Sequence, residues 1–429
     1  MRALVVGGYG LIGAYVVAEL AAAGHEVLGV GRDVRRAKRR VPFAAWEQAD
    51  LASFSKSEWA PLVAGVDAVI NCAGALQDSP RDDLLAVHVT GLENLARAAK
   101  AAGVRRFIHI SAAGAATSPG AFGVAKRGAE AVLRGEDMDW VILRPGLVLG
   151  PGAFGGSALL RGLAAFPLLT PCVYPDSLIQ VVAVQDVARA VLAAAAQDGP
   201  ARQAIDLVSI EAYELREILI RLRAWLGESP APVLFAPPSV AGAFASAADA
   251  LAWLGWRSPM RSAAIRQLRH GVRGDAASIA ALPAVRIRNL DQLLAATPCG
   301  VQERWFARLY FLKPLGLITL AVFWAASGLI GLVEMDRAGA ILAHAGFSQA
   351  MAGGVVALGS ATDLLLAVLA CHRASARLAL RAMVLASAGY VLGATICLPD
   401  LWVDPLGPLV KVIPAMVLAL VMLALMEER

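Results

Sequence analysis

The sequence predicts an α/β domain built on a doubly wound parallel sheet, followed by an all-α membrane domain of four transmembrane helices. Three observations carry this. Short apolar runs alternate with helix-spaced segments over roughly the first half of the chain. A glycine-rich turn, Gly7-Gly8-Tyr9-Gly10-Leu11-Ile12-Gly13, joins the first run to the first helical segment. From Pro314 to Val333 no residue is charged, and three more long apolar runs follow. Hydrophobic residues make up 58% of the chain and mean hydropathy is +0.61, high for a wholly soluble protein; the excess lies at the C-terminus.

Ala3–Gly7, Glu26–Gly31, Ala68–Asn71, Phe107–Ser111 and Trp140–Leu143 read as buried strands. Leu11–Ala23, Asp82–Ala102 and Pro119–Leu133 read as helices between them. Such alternation means βαβ units and a parallel sheet. A strand at Val181–Ala183 and helices at Gln185–Ala196 and Tyr213–Trp225 complete a domain assigned to residues 1–228. Pro230, Pro232, Pro237 and Pro238 mark a linker, opening a small substrate-side region over 229–300. There, the Ala-rich segment Val240–Trp256 precedes Arg257, Arg261, Arg266, Arg269 and Arg273. It reads either as a lid or membrane-surface helix, or as an ordinary domain helix with a solvated basic face; the small moment of Ala-rich helices favours the second.

The spacing G-x-x-G-x-x-G after a strand and before a helix lets the chain turn sharply. It also brings backbone N–H groups to a pyrophosphate at a helix N-terminus. In that context the turn reads as a dinucleotide-binding, Rossmann-type site; the plain alternative is a glycine-rich turn without a ligand. The end of the second strand discriminates between nicotinamide nucleotides, since an acid holds ribose hydroxyls and an arginine meets a 2′-phosphate. This chain has Gly31-Arg32-Asp33, then Arg35, Arg36, Lys38, Arg39 and Arg40. Arg32 is the first side chain able to reach the ribose, so NADP(H) is favoured and Asp33 keeps NAD open. The net charge of +5 is accounted for by a cofactor phosphate and by loops near a membrane, so no nucleic-acid partner is expected. Five scattered cysteines without a CxxC argue against disulfides and against a metal site. The strand beginning at Ala3 leaves no room for a signal peptide.

At these residues the chain resembles the short-chain dehydrogenase/reductase superfamily, in its extended and atypical branches, over roughly residues 1–290. The matching pieces are Gly7-x-x-Gly10-x-x-Gly13, Asp50-Leu51, Asn71-Cys72-Ala73-Gly74, Ser111, Lys126 and Arg144-Pro145-Gly146. The resemblance implies that Gly7, Tyr9, Gly10, Leu11, Ile12 and Gly13 hold the pyrophosphate and Arg32 the ribose. Asp50 and Leu51 would meet adenine, Cys72, Ala73 and Gly74 the adenosine, Lys126 the nicotinamide ribose, and Pro145 the nicotinamide. The family's catalytic Tyr-x-x-x-Lys would put tyrosine at 122, where this chain reads Phe122-Gly123-Val124-Ala125-Lys126. The phenol moves a proton while hydride moves, and phenylalanine has none to give. The family's usual asparagine is His88, in His88-Val89-Thr90-Gly91. Candidate catalytic groups are therefore Ser111, able to orient a carbonyl, and Lys126. His88 is either a replacement acid or a structural histidine. Loss of the tyrosine is similar to atypical members that bind NADPH without evident turnover, such as the large accessory NADPH-binding subunit of respiratory complex I. Residues 177–188 resemble that branch's "Pro-Val-His-Val-x-Asp-Val-Ala" stretch.

The domain over 301–429 has spans at about 314–333, 350–371, 379–398 and 407–426, each near the ~20 residues that cross a bilayer. Arg304, Arg308 and Lys313 precede the first span; Arg373, Arg377 and Arg381 lie at the turn between the second and third. The positive-inside rule places both termini in the cytoplasm. Trp305, Phe306, Tyr310 and Phe311 supply an interfacial belt, with Trp402 on the far side. This half resembles the DoxX-like family of small bacterial membrane domains, in its span count, Gly/Ala-rich middle spans and Trp324-x-x-Ser327-Gly328. A multi-pass protein of the bacterial inner membrane is expected. Asp363, inside the second span, is a functional candidate or half of a packing ion pair, with Arg381 its expected partner. Three functions stay open: an oxidoreductase acting on a small lipophilic, quinone- or isoprenoid-like substrate or redox partner in the bilayer; a non-catalytic NADPH-binding sensor or scaffold of a membrane redox complex; and a membrane component whose soluble half regulates the DoxX-like half. Oligomeric state is not legible in the sequence.

Overall fold

A computed structural model describes residues 1–79, 82–256 and 258–426. Arg257, first of the basic residues after the Ala-rich segment, lies outside them. The chain divides into two compact units, Met1–Asp249 with Ser258–Ala307, and Ala250–Arg257 with Arg308–Arg429.

The first unit is built on a seven-stranded sheet. Its spatial order is Gln203–Leu207, Asp139–Pro145, Arg106–Ile110, Ala68–Asn71, Arg2–Val6, Glu26–Gly31 and Ala45–Gln48. Every pairing is parallel. Leu4, Val5, Val69, Ile70, Phe107 and Ile108 are fully buried, the continuous apolar runs required of strands covered on both faces. Helices Leu11–Ala22 and Val184–Ala195 cover one face with Val16, Val17, Leu20, Val187 and Val191. Gly91–Ala101 and Ala121–Arg134 cover the other with Leu92, Leu95, Ala99, Ala129 and Leu133. Chain order reverses between Arg2–Val6 and Ala68–Asn71, so a crevice opens at the carboxyl ends of these two strands. This is the doubly wound Rossmann arrangement.

Two expectations are corrected. The helix expected at Asp82–Ala102 starts later: Ser79 and Asp82 exchange backbone hydrogen bonds, and the Asp83 carboxylate accepts from Ala86 N at 2.8 Å. A wide π turn at Ala86–Thr90 then leads into Gly91–Ala101. A Cβ at Gly91 would lie 1.9 Å from Leu51 O, so only glycine lets this helix rest on the Asp50-Leu51 loop. The Pro-rich stretch, in turn, contains a strand, Val233–Phe235, paired in parallel with Thr170–Cys172. The following helix, Pro238–Trp253, buries Ala241, Ala245, Ala248 and Ala252 along one stripe and leaves Val240, Phe244 and Leu251 exposed.

Among the described residues four helices are long and apolar enough to cross a membrane: Val301–Val333, which belongs to the second unit from Arg308 onward, and Gln349–Cys371, Ala376–Cys397 and Pro408–Leu425 within that unit. Their outward side chains are apolar, with Leu329, Leu358, Leu385 and Leu392 all exposed, as in a bundle whose surroundings are lipid. The first two spans meet through small residues; a Cβ at Gly328 would lie 2.7 Å from both Leu364 Cγ and Ser360 O. The chain is a multi-pass membrane protein. Within the same unit, the Trp256 indole donates to Cys371 O at 2.7 Å and Arg373 N donates to Leu254 O at 2.9 Å.

Candidate functional site

The crevice is shaped first by atoms that are missing. Gly7 has φ +72°, and a Cβ there would lie 2.7 Å from Ala73 N; one at Gly13 would lie 2.2 Å from Gly7 O. Gly7 N donates to Val30 O and Gly10 N to Gly7 O, both at 2.9 Å. The turn is thus folded tightly against the Cys72–Ala73 segment. It opens directly into the helix Leu11–Ala22, whose N-cap Gly10 provides no side-chain cap. First-turn N–H groups left in this way suit a pyrophosphate, and the cradle is one that any Cβ would fill. Tyr9 lies over Gly31, where a Cβ would sit 2.2 Å from its ring, and edge-on to Trp46 at 6.1 Å.

At the end of the second strand, Arg32 pairs with Asp82 at 2.8 Å. Asp33 is used structurally: its Oδ1 accepts from Arg36 N at 2.9 Å, capping the short helix Val34–Arg40. Arg32, Asp33, Val34, Arg35 and Gln48 line a cleft of about 260 Å³. Asp50 Oδ1 accepts from Ala52 N at 3.1 Å, and Leu51 is buried beside it.

Across the crevice, Asn71 Oδ1 accepts from Ala73 N at 3.0 Å and fixes the Cys72–Gly74 turn. Burial pushes the Cys72 thiol up to about 12, so it is not a nucleophile at neutral pH. Lys126 Nζ donates to Ile110 O at 2.8 Å, lies 5.8 Å from the centre of the Phe122 ring, and sits 3.7 Å from where a Gly74 Cβ would be. Burial draws this ammonium down to about 8, against the opposing pull of Glu130 and Cys72. His88, 1% exposed, meets the Phe122 ring edge-on at 6.1 Å and has Nε2 2.8 Å from Ala75 O. Burial, reinforced by the Lys126 charge, holds its pKa down to about 4. The imidazole is neutral and held against the Ala75 backbone, where Ala75 N also donates to Nε2 at 3.2 Å.

Ser111 faces elsewhere. Its hydroxyl donates to Glu130 Oε1 at 2.7 Å, and Arg144 Nε donates to the same oxygen at 2.8 Å. Burial alone would raise the Glu130 carboxyl, but bonds from Arg144 and Ser111 outweigh it and hold it below the usual range. Pro145 closes the same strand, its carbonyl accepting from Ala113 N at 2.9 Å. The crevice therefore gathers the glycine turn, Cys72–Gly74 and Lys126, whereas the Ser111 hydroxyl is committed to a buried ionic cluster. Sequence reasoning passed over Glu130; its one signal was an acid a single helical turn after Lys126, on the same face.

In the membrane unit Arg381 is not the partner of Asp363, contrary to expectation. Asp363 Oδ2 accepts from the Ser327 hydroxyl at 2.6 Å and Oδ1 from the Tyr390 phenol at 2.8 Å. Arg381 and Tyr390 lie nine residues apart on one helix, two and a half turns, and so on opposite faces.

A family model described as NAD(P)H-binding matches residues 7–198, and one described as the DoxX-like family matches residues 321–420. The chain therefore joins an NAD(P)H-binding domain of Rossmann fold to a DoxX-like membrane domain. Among solved structures, it is similar to the Bordetella bronchiseptica enzyme WbmG in complex with NAD, at 18% identity and TM-score 0.53, covering 69% of this chain and 92% of that one. A new type of NADPH-dependent quinone oxidoreductase from Escherichia coli also matches at 18% and TM-score 0.53, over 69% of this chain and 99% of that one. An epimerase from Methanothermobacter thermautotrophicus matches at 19% and TM-score 0.53, over 72% and 93%. At these identities the likeness is one of fold. A sequence search against curated proteins found no match.

Proposed function

We propose that this is a membrane-anchored NADP(H)-dependent oxidoreductase of the bacterial inner membrane, with both termini cytoplasmic, acting on a lipophilic quinone-like acceptor. The observation that carries the proposal is Lys126, buried under Phe122 with its ammonium lowered to about 8. When bound, a nicotinamide supplies a hydride, so reduction of a quinone to a hydroquinone then needs one further proton. Reducing an ordinary ketone builds up an alkoxide, as basic as hydroxide (water itself has a pKa of ~16), which must receive its proton as it forms from a donor in contact with the carbonyl oxygen, the place the missing phenol would hold. A quinone instead yields a phenolate, with a pKa of about 10 like that of tyrosine, which an ammonium near 8 protonates downhill. Phe122 is then compatible with turnover on this class of acceptor. Phe122 also leaves an apolar wall in place of a hydroxyl that would select sugar or alcohol substrates. The fold is shared with an NADPH-dependent quinone oxidoreductase, which is consistent with this choice.

For the cofactor, Arg32, Arg35 and Gln48 around the ribose cleft favour a 2′-phosphate. The Asp33 carboxylate has Oδ1 engaged as a helix cap, which supports the same choice. A second reading, a non-catalytic NADPH-binding sensor, draws support from the absence of any phenol at 122 and from the neutral His88. Oxidation of NADPH by the purified full chain, across short-chain quinones and matched ketones, separates the two. Quinone-dependent oxidation with no ketone activity is expected; tight NADPH binding without oxidation by any quinone overturns the enzyme reading in favour of the sensor.

A further inference from the structure

The membrane unit contains a polar cluster that none of the nucleotide chemistry uses. Asp363 is 5% exposed and lies eight residues before the end of the span Gln349–Cys371, roughly 12 Å in at 1.5 Å per residue. A carboxyl at that depth is expensive and needs partners. Its partners come from the two neighbouring spans, Ser327 on the first and Tyr390 on the third. Both are neutral hydroxyls. Among the described residues no cation pairs with Asp363: Arg381 and Lys411 make no contact with it, and Tyr390 is the other titratable group that touches it.

The phenol has two acceptors within reach. Tyr390 Oη is 2.8 Å from Asp363 Oδ1 and 3.4 Å from Gly359 O, one turn earlier on the Asp363 helix. When the carboxyl is ionised, both hydroxyls donate to it. When the carboxyl carries a proton, it can donate to Tyr390 Oη, and the phenol hydrogen swings to Gly359 O. Neither state leaves a buried polar group without a partner, which is the usual penalty for changing charge in such a place. Tyr390 is 40% exposed, so the cluster reaches the surface of the bundle through its ring, with Trp324 packed 6.3 Å away.

We propose that Asp363, Tyr390 and Ser327 form a proton-binding site in the membrane unit, which takes up and releases one proton while Tyr390 exchanges its hydrogen bond between Asp363 and Gly359. The site stands apart from the NADP(H) reading and holds whether or not the soluble unit turns over.

Dicyclohexylcarbodiimide, a lipid-soluble reagent, tests this in the full chain embedded in nanodiscs. A protonated carboxyl adds across its C=N bond and rearranges to a stable N-acylurea, with no leaving group, and peptide mass spectrometry locates the adduct. The expected result is an adduct at Asp363 that falls at least about tenfold from the lowest to the highest pH at which the protein stays folded and is lost in Asp363→Asn. Tyr390→Phe removes one donor to the ionised carboxyl, so labelling at that highest pH should rise about tenfold, the usual worth of a charge-assisted hydrogen bond. The wild-type profile carries the test even if a variant fails to fold. No adduct at Asp363 at any pH, or an adduct independent of pH, overturns the site; a Tyr390→Phe profile identical to wild type overturns the exchange.

Discussion

The two ends of the crevice treat space in opposite ways. At the glycine turn the fold is specified by atoms that are absent: Gly7 and Gly13 stand where any Cβ would strike the backbone 2.2–2.7 Å away. At the Lys126 end the space is filled, with Phe122 and the neutral His88 occupying the ground where an exchangeable phenol would stand. The first end can only be a tight backbone cradle. The second is permissive and can change its chemistry without disturbing the sheet. The difference teaches that holding a dinucleotide and moving a proton are separable properties of this fold, and that the glycine turn by itself attests only to the first.

Substitutions that probe each end should therefore fail in different ways. The largest loss of cofactor binding is expected from Gly7→Ala, which combines a left-handed backbone with a clash against Ala73 N; at about 3 kcal/mol of strain NADPH affinity should fall on the order of a hundredfold by fluorescence titration. An unaltered affinity would break the comparison at its firmer end. Lys126→Met should lower quinone-dependent turnover by roughly 10²–10³, in the range of general-acid catalysis, with a much smaller loss of binding. The same group sets a pH dependence. A lysine lowered to about 8 is charged below that pH and neutral above it, so turnover should fall as pH rises through about 8. A rate flat from pH 7 to 9 removes Lys126 as the proton source. Arg32→Ala should weaken NADPH about tenfold or more, as loss of a charge-assisted bond does, while leaving NADH nearly unchanged; equal losses defeat the phosphate assignment. The smallest change is expected from Phe122→Tyr, which restores a phenol beside Lys126 and should add weak ketone reduction, roughly tenfold over background and below the ~10²–10⁴ of a fully positioned acid, with quinone turnover unaltered.

What the sequence made legible was local. The strand–turn–helix with its glycines at positions 7, 10 and 13 needs only neighbours along the chain, and so do the alternation that produced the parallel sheet and the apolar spans. What stayed hidden depended on which face meets which. Arg32 finds Asp82 across 50 residues, in a segment expected to be plain helix. Ser111, read as a group aimed at substrate, spends its hydroxyl on Glu130. Asp363 and Arg381 lay at plausible depths on adjacent spans, but hydropathy says nothing about rotation, and half a turn puts Tyr390 there instead. The Val233–Phe235 strand was missed because prolines flank it and its partner, Thr170–Cys172, lies far back in the chain.

The central claim is that the crevice is an NADP(H) site, and a direct binding titration of the full chain in nanodiscs with NADPH and NADH tests it most simply. Saturable binding of both is expected, with NADPH at least about tenfold tighter through Arg32 and its cleft. Equal affinities would contradict the choice of cofactor, and no binding of either would contradict the site.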